Sequence, residues 1–217
     1  MHTLLRGTDD KEIEQALDAS WDQVPAGSTV WRLDVAHHGD ADAPSYRAWQ
    51  QGDRHLAAHI LLAGIGLPHD PDVQAERHQP MIDLLGSMRA FIDKGGRLER
   101  VVVIDPADRE DPLGGLAWRH ELLWPLIYMP RGERVWQLSH QACKEAGVVV
   151  PDYDVNDFTA TMFETYYEEP RRRVFYDLDH PEDLGRIQAA WQLRAVVTEL
   201  IRSGAGVELE PLDESLW

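Results

Sequence analysis

A chain of 217 residues, 43% hydrophobic and 27% charged, has the make-up of an ordinary globular protein, long enough to bury close to 70% of its unfolded surface. Its 38 acidic residues outnumber its 21 basic ones for a net charge of −17, a field that repels phosphate backbones and argues against direct nucleic-acid binding. The lone Cys143 excludes an intramolecular disulfide, no stretch approaches the ~20 apolar residues that span a bilayer, and the N-terminal MHTLLRGTDDKEIEQ lacks the apolar core of a signal peptide, so a cytoplasmic protein without a membrane partner is expected.

Thr8, Asp9 and Asp10 offer caps for a first helix carrying Ile13, Ala16, Leu17 and Trp21, which Pro25-Ala26-Gly27 stops. Thr29 to Val35 alternates apolar and polar residues over a strand length, placing Val30 and Trp31 on opposite faces. A polar loop, His37 to Pro44, precedes a helical stretch with Tyr46 and Trp49 and, after Gly52, a segment from Arg54 to Leu62. Residues 69–80 read as a charged, proline-bounded loop. Ile82, Leu85, Met88 and Ile92 then recur at helical spacing, Gly95-Gly96 supplies a left-handed stop, and Val101 to Ile104 forms a β-branched run suited to a strand covered on both faces.

Beyond Asp105-Pro106 an acidic loop leads to Trp118–Tyr128, a helix expected to end or kink at Pro125. Val135 to Leu138 is a short strand, Ser139 to Ala146 a helical turn or short helix closed by Gly147, and Val148 to Val150 a further strand candidate that Pro151 marks as an edge strand or a loop entry. Asp157 to Tyr167 and Arg172 to Leu178, β-branched and aromatic around Glu168-Glu169-Pro170, form an antiparallel hairpin. Pro181 opens a last amphipathic helix through Leu184, Ile187, Ala190, Trp191, Arg194, Val197, Leu200 and Ile201, ended by Gly204. The order implies one α/β domain over residues 1–204, its core at about 28–204. Its sheet is expected to be mixed and mostly parallel, with an antiparallel edge hairpin and helices on both faces. Residues 205–217 read as an acidic tail, laid over the surface or loosely ordered.

From about Arg97 onward, Gly96 with Arg100-Val101-Val102-Val103, Trp118-Arg119-His120-Glu121, Arg131-Gly132-Glu133-Arg134-Val135-Trp136, Asp157-Phe158 and Trp191 resemble an actinobacterial domain family related in fold to one half of a phospholipase D-like domain. The resemblance, over roughly residues 95–200, implies a strand-helix-strand-strand-helix core. It implies no activity: active phospholipase D-like enzymes carry H-x-K-x4-D, which this chain lacks.

An acid at the carboxyl end of a central strand stands where open α/β sheets place ligands, so Asp105, Trp118 and Arg119 are candidate ligand-binding residues. His120 as acid and Glu121 as base would complete a catalytic cluster, with Arg119 as anion clamp. The bland alternative is a solvated first helical turn. Trp118 and Trp124 could wall an apolar pocket, whereas Trp31, Trp49, Trp136 and Trp191 read as core. His55 and His59 have the i, i+4 spacing of a metal pair, but ten histidines make such a pair expected by chance, and no metal or cofactor is assigned. Cys143 reads as a small buried hydrophobe.

The leading functional expectation is a regulatory module that binds a small molecule or a protein partner without catalysis of its own, with homodimerisation left open. The rivals are a small-molecule enzyme, of secondary metabolism for example, built on Asp105, Arg119, His120 and Glu121, and an acidic immunity- or antitoxin-type interaction protein.

Overall fold

The computed structural model of the protein describes residues 10–35, 44–67, 79–104, 118–166 and 172–214. The proposed caps Thr8 and Asp9, the loops holding His37 and His38 and residues 69–78, the acidic loop starting at Asp105, and the Glu168-Glu169-Pro170 turn lie outside them. In chain order the elements are helix α1 (Asp10–Gln23), strand β1 (Thr29–Asp34), helices α2 (Pro44–Gln50), α3 (Arg54–Gly64) and α4 (Gln79–Asp93), and strand β2 (Arg97–Val103). A wide helix (Arg119–Tyr128), a 3-10 turn (Met129–Arg131), β3 (Glu133–Leu138), α5 (His140–Glu145), β4 (Asp154–Asp157), β5 (Thr161–Tyr166) and β6 (Arg172–Asp177) follow. Then come α6 (Leu184–Leu200), a wide turn (Ile201–Ala205) and β7 (Val207–Glu208).

The seven strands form one mixed sheet in the order β6-β5-β4-β1-β2-β3-β7. β1, β2 and β3 run parallel, with Arg32 beside Arg100 and Arg100 beside Val135. This is the expected α/β sheet, with the apolar Val101–Val103 run on the interior strand β2, between β1 and β3, and the β5–β6 hairpin at one edge. Parallel pairing is confined to those three strands; the other four ladders are antiparallel. The sheet is therefore less parallel than expected, because two strands carry no clear sequence signature. Asp154–Asp157 is short and polar, yet it pairs with both β1 and β5. The C-terminal stretch contributes strand β7 against β3, with Leu209 and Leu212 packed on the core.

Helices α1 to α4 and the wide helix cover one face, burying Trp21, Trp49, Leu61, Met88, Phe91 and Trp124 against Val30, Leu98 and Val102. Helices α5 and α6 cover the other, over Trp31, Leu33, Val101, Val103 and Met162. Each such side chain contributes roughly 1.5–3 kcal/mol on burial. The α4–β2 junction shows how the chain enforces this layering. Gly95 takes a left-handed φ of 83°; its N–H donates to Ile92 O at 2.8 Å and that of Gly96 to Phe91 O at 3.0 Å, the paired bonds of a Schellman stop. Gly96 is required for a different reason: the Phe91 ring lies where its Cβ would stand, 2.3 Å away.

Two expectations change for local reasons. Pro125 neither ends nor breaks its helix, because the Arg119–Tyr128 segment is wound in wider π turns that loosen the α-helical fit with which a proline ring collides. Val148 is not a strand residue: its N–H donates to Cys143 O at 2.8 Å and that of Gly147 to Lys144 O at 3.1 Å, so its apolar side chain closes α5. Among the described residues no helix is long and apolar enough to cross a membrane.

Candidate functional site

At the start of the wide helix, Trp118 is buried edge-on to Tyr46, 5.9 Å between ring centres, and its Nε1 has no hydrogen-bond partner among the described residues. Glu121 is exposed and accepts from Arg54 Nη2 at 2.7 Å and Trp49 Nε1 at 3.2 Å. His120 turns instead to β3, its Nε2 2.8 Å from Gln137 Oε1. Arg119 is half-buried. Consecutive helical residues point apart, so the His120 and Glu121 side chains serve different neighbours. Asp105 lies outside the described residues. On α3, His55 is exposed and His59 half-buried, and among the described residues no group of three or more His, Cys, Asp or Glu is placed to hold a metal ion. Cys143 is buried.

Beneath the helices of that face lies a charged layer which the sequence pattern concealed. Arg32, Asp34, Arg100 and Glu133 are all buried. Arg100 pairs with Asp34 through Nη1 and with Glu133 Oε1 through Nη2 at 3.2 Å, and Arg32 reaches the same Glu133 oxygen at 3.4 Å. The Arg100 guanidinium lies 5.4 Å from the Trp124 ring centre and 5.6 Å from that of Tyr128; Arg32 lies 5.8 Å from Trp21. Burial disfavours both cations. For Arg32 it wins and lowers the pKa; for Arg100, Asp34 and Glu133 more than offset it and the pKa rises. Burial also raises the Tyr128 pKa, against the pull of Arg100 and Arg32. The four charges balance and sit in packed surroundings, as a structural network would.

A different arrangement occupies the opposite face. Register places Val155 of β4, Glu164 of β5 and Val174 of β6 in one row under α6. Glu164 belongs to a strand of otherwise uncharged side chains, and its side chain is only 2% exposed. Both of its oxygens are engaged. Arg186, in the first turn of α6, donates from Nε to Oε1 at 2.6 Å and from Nη2 to Oε2 at 3.1 Å. The hydroxyls of Tyr166 and Tyr176 donate to Oε2 at 2.8 and 3.0 Å. Arg186 also stands over the Tyr153 ring, 4.9 Å from its centre, and Tyr153 meets the Tyr166 ring at 4.8 Å. Together Tyr153, Val155, Glu164, Arg186, Ala190 and Leu193, with Ala189 exposed on the same helix, line an open cleft that encloses about 50 Å³.

The electrostatics keep these phenols protonated. Burial, the hydrogen bond to Glu164 and its charge push Tyr166 up to about 12. Burial and the Glu164 charge hold Tyr176 and, to a lesser degree, Tyr153 above the ordinary tyrosine value. Burial alone would lower the Arg186 pKa, but the Glu164 fork raises it, so the guanidinium is charged at any physiological pH. Sequence reasoning passed over Tyr153, Glu164 and Arg186. The available signal was Glu164 itself, which shares the strand parity of the core residue Met162 and so had to be buried with partners.

Compared with family models, with curated proteins and with solved structures, the chain matches none.

Proposed function

We propose that this protein is a small-ligand-binding module without catalysis of its own, and that the cleft between α6 and strands β4 and β5 is its binding site. The observation that carries the reading is convergence: a fixed guanidinium from α6 and the Tyr153 ring ahead of β4 meet Val155, Ala190 and Leu193 around one opening. Apolar walls with a few oriented polar groups are the usual composition of small-molecule sites. The buried Glu164 acts as the fastener, holding Arg186 and two phenols in fixed positions before any ligand arrives, which lowers the ordering cost of binding.

The test is a set of small carboxylates, amides and alcohols followed by ¹H–¹⁵N correlation spectra. The expected result is saturable movement of the Ala189, Ala190 and Leu193 amides. Ala189→Phe should abolish it while leaving Tm unchanged, since Ala189 is exposed and a ring there closes the cleft without entering the core. Cleft amides that stay still, or that move equally in Ala189→Phe, would overturn the assignment.

A further inference from the structure

The groups around this cleft also define which ligand chemistry it accepts; this inference rests on the cleft being a binding site. Although Glu164 lines the opening, its carboxylate has little left to offer: four donor contacts from three side chains already occupy its two oxygens. What remains for a ligand is donor character and positive charge. The fork uses Nε and Nη2 of Arg186 and leaves Nη1 outside it, on a side chain that is 39% exposed while its counter-ion is almost fully covered. A visitor therefore meets the cation before it meets the anion. The rest of the wall is the Tyr153 ring with Val155, Ala189, Ala190 and Leu193.

We infer that the ligand is a compact carboxylate with a short branched or cyclic apolar body, its carboxylate against Arg186 and its body between Tyr153 and Leu193. Size limits the choice: the cleft encloses about 50 Å³, room for roughly three to five waters at the ~10–15 Å³ each needs by the same measure, so the apolar body must be small. The overall charge of −17 does not forbid an anion here, because at physiological ionic strength the field of distant acids is screened over about 8 Å, whereas Arg186 acts in contact.

Because Arg186→Gln would strand the buried Glu164 carboxylate, the charge is better removed from the ligand than from the protein. Isovalerate and its neutral counterpart isovaleramide have nearly the same shape. Titrated separately into the full chain and read at the Ala189, Ala190 and Leu193 amides, isovalerate should bind saturably and about fivefold more tightly than the amide, the weight of one charge-assisted contact at a partly exposed site. Ala189→Phe should lose both. Equal affinities would overturn the carboxylate preference and leave the cleft standing as a site. Cleft amides that respond to neither compound, nor to any member of the wider set, would overturn the site itself.

Discussion

Glu133→Gln tests whether the charged layer under the wide helix is a balanced network. The carboxylate is 1% exposed and is shared by Arg32 and Arg100, so neutralising it leaves two buried guanidiniums facing Asp34 alone. Removing one partner of a buried pair costs about 3–5 kcal/mol. The contacts here, 3.2 and 3.4 Å, are longer than the ~2.7–2.9 Å of the strongest charge-assisted bonds, which puts the expected loss near the lower end, about 3 kcal/mol. For a chain of this length that is a fall in Tm of about 6–12 °C. Urea unfolding followed by tryptophan fluorescence reads it directly, since Trp21 and Trp124 adjoin the two arginines. Adding Arg32→Met restores the balance by leaving Arg100 with Asp34, so the double variant should be more stable than Glu133→Gln alone. Glu208→Gln is the control: its two-bond pair with Arg134 is 45% and 59% exposed and should cost less than about 1 kcal/mol. If Glu133→Gln costs no more than this control, or if the double variant loses the sum of its two single losses, the network reasoning is wrong.

Two further outcomes follow from the geometry. Tyr166 is held up to about 12 by burial and Glu164, against about 10 in an unfolded chain. The folded state thus retains a proton that the unfolded state releases, and the stability it gains is complete below pH 10 and lost as pH rises from about 10 to 12. Denaturation midpoints measured across that range should fall in wild type and fall less steeply in Tyr166→Phe; parallel curves would contradict this. In α4 and its stop, Gly96→Ala should destabilise by about 1–3 kcal/mol because the added methyl meets the Phe91 ring. Gly86→Ala, with open space around the new Cβ and a helical setting, should stabilise by about 0.5–1 kcal/mol; thermal melts of the pair would expose the reverse order.

Local chemistry in the sequence sufficed wherever one element could be read from its own residues. The α4 stripe, its glycine stop and the apolar Val101–Val103 end of β2 appear as read, because helical spacing, the Gly95 conformation and a β-branched run each act within a few residues. The Ser139–Ala146 turn of helix also forms, with the Ser139 oxygen accepting from Ala142 N at 3.0 Å, and the β5–β6 hairpin pairs as its composition suggests. Tertiary structure decided the rest. The alternation in β1 suggested one polar face, but α1 and the wide helix cover that face, so Arg32 and Asp34 are buried and must find Arg100 and Glu133 on neighbouring strands. β4 and β7 have too little apolar pattern to declare themselves and exist because β1 and β3 present unpaired edges. The cleft depends on register most of all. Tyr153, Glu164, Tyr176 and Arg186 are spread over 34 residues and meet because β4, β5 and β6 align and α6 folds back across them, a long-range alignment that no spacing along the chain encodes.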